Sequence, residues 1–375
     1  MRIGILTHFH KSTNYGGVLQ AYALCRFLNK QGHDARQILY VSRPERVSDA
    51  RLTPRVFCQK AVERAKRRIY GKRNRRIKAR LEILFSDFRS SVPHTEREYT
   101  RADIADANGT FDAFVTGSDQ VWNPIWHDPS YFLDFADGGA KRISYAASVG
   151  LSALDGAQRA LFQKYLPALD ALSVRESAAA PLLSPLAQED VSVSVDPTLL
   201  LTREDWDEIA SDRKMKDGYV FLYALGDDIK IRRAAARFAK EKGLMLVTIP
   251  DLLGKYRGCD RRIRAHAVTD ATPGDFISLI KHADFVFTDS FHATVFSLLY
   301  GRAFFAFPRS GNIKMGSRLE SLLDMFGCPE RFLKDKKQSK TAYLLSLPAF
   351  GGADAPSRFE GERQRSVDYL AASLG

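Results

Sequence analysis

Residues Ala283–Phe307 read ADFVFTDSFHATVFSLLYGRAFFAF, and this stretch decides the fold. The apolar run Phe285, Val286, Phe287 stops at Thr288, Asp289 and Ser290. Val295, Phe296, Leu298, Leu299 and Tyr300 then recur at helical spacing up to Gly301, and a second apolar run, Ala303 to Phe307, ends at Pro308. Strand, tight turn, helix and strand in that order are the βαβ unit of a parallel sheet. Open α/β folds bind ligands at the carboxyl ends of such strands. Here that turn holds an acid, a hydroxyl and His292 at a helix N-terminus, whose unpaired N–H groups and dipole attract anions. Helix capping by Asp289 or Ser290 accounts for one of these side chains. It does not call for His292, so a bound anion beside a histidine is the sharper expectation.

The same grammar recurs outward from this stretch. RIGILTH opens the chain as a buried strand, FHKSTNYGG follows as a loop, and Val18 to Gln31 has helical periodicity up to Gly32. The loop contains Gly16 and Gly17 but lacks the GxGxxG order of a dinucleotide fingerprint, so no NAD is expected. Phe111 to Val115 ends in Thr116, Gly117, Ser118, Asp119 and Gln120, and RISY ends in AASVG. Small and polar residues thus gather at several strand ends, as a shared cleft requires. A chain of 375 residues fits two α/β domains, and the expected halves are Rossmann-like, joined near residue 170. Residues 1–170 form the first, with a basic helical insertion at 51–90 and a further helix at about Leu81 to Arg89. Residues 171–350 form the second, and 356–375 form a C-terminal helix.

The net charge of +12 is local. Arg51 to Arg80 hold 13 Lys/Arg against the single acid Glu63, and the rest of the chain balances. A segment so basic suits an anionic membrane surface or nucleic acid, or is a solvated helical insertion. Phe57 and Tyr70 are its only aromatics, which argues against stacking single-stranded bases. The four cysteines are scattered and no Cys/His spacing suggests a metal. The polar THFHKSTNYGG after a short apolar run is unlike a secretory signal, and no apolar run approaches a membrane span. A cytoplasmic protein, peripheral to the inner face of the membrane if the basic segment docks there, is the expectation.

Seven stretches in order, THFHKSTNYGGVLQAYAL, FDAFVTGSDQVWNP, RISYAASVG, LSVRE, VDPTLLL, TDSFHATVFSLLYG and GSRLESLL, resemble the polysaccharide pyruvyl transferase family from Arg2 to about Leu333. The resemblance implies a two-domain fold like that of GT-B glycosyltransferases, with parallel sheets facing a cleft and the C-terminal helix crossing back to the first domain. It also implies transfer of the pyruvyl group of phosphoenolpyruvate, as co-substrate and without a cofactor, to two sugar hydroxyls. The acceptor would belong to a surface glycan or its lipid-linked precursor.

On that resemblance, His292 and Asp119 are the candidate proton-transfer groups. Arg175, in the RE motif, Arg318, Ser290, Asp289 and Lys314 are candidates for the donor, with Arg309 a further loop cation. Arg175 in an ordinary surface pair with Glu176 or another acid, and Arg318 solvated in a first helical turn, are the alternatives. Asn14, Tyr15, Gln20, Ser118 and Gln120 would face the acceptor, with Trp122 stacking on a sugar; turn-forming and core roles are their alternatives. Some relatives carry Arg-Leu-His where this chain has Ser290-Phe291-His292, so an arginine is missing two positions before the histidine. Two other readings compete: a glycosyltransferase using a nucleotide sugar on the same fold, and a non-catalytic membrane- or nucleic-acid-binding protein.

Overall fold

The computed structural model describes residues 1–47, 54–188, 190–309, 316–335, 337–348, 350 and 355–375, with backbone alone at 54–67, 317 and 355–358. Lys314 and residues 51–53 lie outside the described residues. The first half runs β1 (Arg2–Leu6), α1 (Tyr15–Lys30), β2 (Asp34–Tyr40), α2 (Pro54–Ser91), β3 (His94–Tyr99), β4 (Ala113–Thr116), β5 (Lys141–Ser144), α3 (Gly156–Tyr165), β6 (Leu172–Val174), α4 (Ala180–Leu183) and β7 (Val191–Val193). The second runs α5 (Arg203–Asp207), β8 (Tyr219–Tyr223), α6 (Ile229–Lys242), β9 (Met245–Thr248), β10 (His266–Ala267), α7 (Pro273–Lys281), β11 (Phe285–Thr288), α8 (Phe291–Leu299) and β12 (Ala303–Ala306). Helices α9 (Ser317–Met325), α10 (Thr341–Ser346) and α11 (Ala355–Leu374) complete it.

Both five-stranded sheets are parallel and repeat one order, β3-β2-β1-β4-β5 and β10-β9-β8-β11-β12. The central strands AFVT and YVFLY are buried along their whole length, as strands covered by helices on both faces must be. In each sheet the order reverses between the first and fourth strands, so a crevice opens at the ends of β1/β4 and of β8/β11. The architecture is two Rossmann-like α/β domains.

The structure moves the expected boundary. Strands β6 and β7 pair in parallel and join β5 through bridges at Ile143–Ala171 and Ala147–Val174, so the first sheet continues past residue 170 to Val193. Three-residue strands are too short for alternation to mark them in sequence. Arg175, at the end of β6, therefore belongs to the first domain. The helix expected over Leu81 to Arg89 is the end of the 38-residue α2, continuous with the basic segment. Its apolar stripe Ile77, Leu81 and Phe85, four residues apart, is buried and explains the continuity.

A continuous apolar cluster runs through both domains, from Ile3 and Val18 to Phe276 and Phe296. Tyr15 sits at the junction: its ring stacks on Phe276 at 5.0 Å and its hydroxyl donates to the Ala271 carbonyl at 2.7 Å. Lys30 pairs with Asp205 at 2.6 Å across the same junction. Helix α11 returns to the first domain, where the Tyr369 hydroxyl donates to Ser144 O and Lys141 Nζ donates to the last carbonyls of the helix at Ser373 and Leu374. A cation at a helix C-terminus is the favourable arrangement.

Phe85→Ala removes a ring packed 4.8 Å from Tyr15 and should cost about 3–5 kcal/mol in a denaturant titration. Ile83→Ala on the same helix, at a side chain 72% exposed, should stay within about 0.5 kcal/mol. Equal effects would refute the described orientation of α2.

Candidate active site

The turn after β11 is built before it is functional. Thr288 Oγ1 donates to Tyr223 O, Ser290 N donates to Thr288 Oγ1, and Ser290 Oγ accepts from Ala293 N at 3.4 Å as the N-cap of α8. The Asp289 carboxylate accepts from Leu225 N at 2.6 Å and Gly226 N at 2.8 Å, tying the β11 turn to the loop after β8. Asp289, expected to hold a donor anion, is thus corrected to a loop-bridging role: its oxygens are engaged, and a carboxylate repels an anion. Ser290 caps α8 through a lone pair of its hydroxyl. What the turn presents is His292, in the first turn of α8.

His292 Nε2 faces Asp196 Oδ2 at 3.5 Å, long for a hydrogen bond but close for charge. Its other ring nitrogen, Nδ1, lies against Gly16 at the start of α1; a Cβ there would stand 2.0 Å from it. Glycine at 16 is therefore what lets the first domain close on the histidine. Asp196 precedes Pro197 and caps the short turn Pro197–Leu199, with Oδ1 accepting from Thr198 N and Oγ1. Oδ2 accepts from Arg175 Nη1 at 2.6 Å and from Ser118 Oγ at 3.3 Å. Burial alone would raise the Asp196 pKa, but His292, Arg175 and Thr198 outweigh it and hold this carboxyl well below the usual range.

Arg175 is buried, with its guanidinium 4.3 Å from the Phe291 ring centroid. Burial opposes its charge, but Asp196, Asp119 and Glu176 raise its pKa overall. Its Nε and Nη2 are buried and have no hydrogen-bond partner among the described residues. Buried donors are nearly always satisfied, and a guanidinium edge suits a carboxylate or phosphate. The alternative pairing with Glu176 is not made: Glu176 Oε1 accepts from Ser148 Oγ and Gly150 N. Arg318, at the start of α9, is buried, and its pKa is pushed down to about 9 by burial and then by Arg175 and Arg309. Three arginines thus crowd one place. A small cleft beside them is lined by Asp289, Phe291, Arg309, Arg318 and Leu319.

Asp119 lies across the crevice on the loop after β4, in a left-handed conformation at φ 64°. Burial would raise its pKa, yet His8, Arg175 and His292 together hold it well below the carboxylate range. It is an ionised group, not a proton donor at neutral pH. His8 Nδ1 is 3.8 Å from its Oδ2.

The other expected acceptor residues divide. Trp122 does not face the cleft: it is buried, stacked on Phe132 at 5.4 Å and 3°, with Nε1 donating to Tyr131 O, so no sugar reaches its ring. Tyr15 is committed to the domain junction. Gln20 is fully buried and braces the site loop, donating to Thr7 Oγ1 and accepting from Ser118 N at 3.1 Å. Ser118 is equally buried and contacts Asp196 and Arg175 rather than solvent. Gln120 packs against Gly150, and Asn14, partly buried, precedes α1. Asp196 and His8 were missed as site residues. The VDPTLLL stretch held the signal for Asp196, an acid before proline at a strand end; His8 had the signal of lying just beyond β1.

The two-domain α/β fold is of the GT-B type, with an arginine-rich site at the strand ends. The family model for polysaccharide pyruvyl transferase matches residues 14–311, and the chain belongs to that family of transferases. No curated protein matches this sequence. Among solved structures, the chain is similar to S. aureus MnaA, determined with UDP, at 12% identity over 100% of this chain and 97% of that one, TM-score 0.56. It is also similar to the UDP-GlcNAc 2-epimerase of Methanocaldococcus jannaschii, at 9% identity over 99% and 100%, TM-score 0.53. The Neisseria meningitidis UDP-GlcNAc 2-epimerase bound to UDP-GlcNAc gives 10% identity over 99% and 100%, TM-score 0.50. At these identities the likeness is one of fold.

Asp196→Asn removes the carboxylate in direct contact with the buried Arg175 and should cost about 3–5 kcal/mol in urea unfolding at pH 7. The depressed pKa values of Asp196 and Asp119 contribute stability that is complete above about pH 4 and falls as pH drops toward their folded-state values. The variant should therefore lose less stability than the wild type on acidification below about pH 4. A parallel acid limb would refute the pairing.

Proposed function

We propose that this chain moves the pyruvyl group of phosphoenolpyruvate onto two hydroxyls of a sugar, in a surface glycan or its lipid-linked precursor, forming a cyclic ketal and releasing phosphate. The observation that carries the reading is the buried Arg175, with two donors unpartnered among the described residues, beside Arg318 and Arg309. Phosphoenolpyruvate brings a carboxylate and a phosphate, two anions for three cations. Arg175 and Arg318 take the place of the arginine missing two positions before His292.

The reaction requires a proton on the methylene carbon, which leaves the adjacent carbon electron-poor and open to a hydroxyl. The ionised Asp196 only accepts, so one hydrogen sits on His292 Nε2; the proton that passes to the methylene is the second one, carried on Nδ1 when the ring is imidazolium, and its transfer leaves the neutral ring with a lone pair on Nδ1. Asp119, ionised nearby, offsets the positive charge that develops. After the first hydroxyl adds, the carbon–oxygen bond to phosphate breaks with its electron pair leaving on phosphate, and the second hydroxyl closes the ketal. Of the two hydroxyl hydrogens, one is balanced by the new methyl hydrogen and the other by the proton on phosphate.

Wild-type protein should release phosphate from phosphoenolpyruvate only when a suitable sugar diol is present. Burial and its arginine neighbours lower the Arg318 pKa despite Glu176 and Asp119, so at neutral pH, below its folded-state pKa, its charge costs stability, and a bound anion would offset that cost. Arg318→Met should raise the ligand-free melting temperature by about 2–4 °C, the effect of about 1 kcal/mol in a protein of this kind. The same change should abolish stabilisation by phosphoenolpyruvate. Stabilisation of the wild type by UDP-sugars but not by phosphoenolpyruvate would replace this reading with nucleotide-sugar transfer.

The same proposal places the enzyme at the inner face of a membrane, where lipid-linked acceptors reside. Arg68, Lys72, Arg73, Arg75, Arg76 and Lys78 of α2 are exposed, as is Ile69. No helix among the described residues is long and apolar enough to cross a membrane, so docking would be electrostatic. Each surface cation contributes about 1 kcal/mol at an anionic bilayer. Replacing Lys72, Arg75 and Arg76 with Gln should weaken sedimentation with phosphatidylserine vesicles roughly 100-fold at low salt. Unchanged sedimentation would remove the membrane from the proposal.

A further inference from the structure

We infer that His8 is the group that takes the proton from the attacking sugar hydroxyl, with Asp119 as its positioning residue. This inference rests on the pyruvyl-transfer reading and concerns the acceptor half of the same site. The chemistry has two ends: a proton must reach the methylene carbon of the donor, and protons must leave the hydroxyls of the acceptor. One histidine enclosed in the donor site does not reach both.

The two histidines differ in the way this division requires. His292 is 8% exposed at its side chain, with Nε2 against the buried Asp196 and Nδ1 against Gly16. His8 is 31% exposed, stands just beyond β1 at the crevice of the first domain, and rests edge-on against Tyr131 at 5.1 Å and 89°. Tyr131 fixes the ring plane while leaving the ring partly open to solvent. Its Nδ1 faces Asp119 Oδ2 at 3.8 Å, and among the described residues its Nε2 has no hydrogen-bond partner. Asp119 Oδ1 accepts from Gln120 N at 2.9 Å, so the carboxylate is held from behind while its other oxygen meets His8. At 3.8 Å the ionised carboxylate is a charge contact that favours hydrogen on Nδ1, which leaves the lone pair on Nε2. Asp119 is also flanked by Arg175 and His292, which places it between the two histidines. The loop carrying Asp119 therefore joins an acceptor-side base to the donor-side cations.

In the step itself, the hydroxyl oxygen forms a bond to the electron-poor pyruvyl carbon and its O–H pair stays on oxygen as the proton moves to His8 Nε2. Imidazolium forms beside Asp119, which balances its charge, and the proton later leaves with phosphate or to water.

The test is turnover of phosphoenolpyruvate and a sugar diol by His8→Ala, His8→Gln and the wild type, each checked for its melting temperature. His8→Ala should lose about 100-fold or more in kcat with KM for phosphoenolpyruvate nearly unchanged, the usual scale for removing a general base. Added imidazole should restore part of that rate, because the site of His8 is open to solvent. It should restore nothing in His292→Ala, whose ring position is enclosed. His8→Gln should be as slow as His8→Ala while melting like the wild type. A His8→Ala enzyme within about threefold of the wild type, or one that imidazole does not rescue, overturns the assignment and leaves the pyruvyl-transfer reading standing. A wild type that turns over no phosphoenolpyruvate with any diol overturns the reading, and the role given to His8 falls with it.

Discussion

The buried ion pair of Arg175 with Asp196 is the contact on which the rest of the site depends. Its two members end neighbouring strands, β6 and β7, at the point where the chain leaves the first sheet for the second domain. Taking two charges from water is costly, and it is tolerable here because nearly every lone pair is used: Thr198 and Ser118 complete the shell of Asp196. His292, from the second domain, is aligned by the same carboxylate. One acid thus orients a cation and an imidazole from different domains, and the site exists only while the domains are docked.

That docking is apolar before it is polar. Tyr15, Phe85, Phe276 and Tyr223 form one aromatic group that crosses the junction, and it lies immediately behind the Gly16 on which His292 rests. The glycine is needed there for a steric reason, since any side chain would occupy the place of the imidazole. Helix α2 reinforces the junction: Asn74 accepts from Tyr256 N, and the Arg73 guanidinium lies 3.8 Å from the Tyr256 ring centroid. The basic helical insertion is therefore anchored on the second domain through its C-terminal half.

The site also carries strain of an electrostatic kind. Arg318 stands near Arg175 and Arg309, with burial adding to the repulsion. Arrangements of this sort cost folding free energy and are kept where a ligand of opposite charge relieves them. Burial and the neighbouring arginines push the Arg318 pKa down, while Glu176 and Asp119 act the other way.

The sequence by itself determined the two parallel α/β halves, because buried strands and amphipathic helices leave period and length signals that do not depend on their neighbours. It also singled out His292 and the Asp119 loop, since polar residues at strand ends are conspicuous against apolar runs, whereas Arg175 and Arg318 stood out only through the family resemblance. Only the tertiary structure decided what each of these touches. Asp289 and Ser290 look the same in sequence whether their oxygens face a ligand or the amides of Leu225, Gly226 and Ala293. Trp122 likewise reads as a sugar platform until Phe132 is found stacked on it. Asp196 and His8 were hidden for the opposite reason, being isolated residues whose partners lie 21 and 111 positions away. Local composition fixes how a segment folds; the direction in which a side chain points, and what meets it, is settled by segments that sequence distance keeps apart.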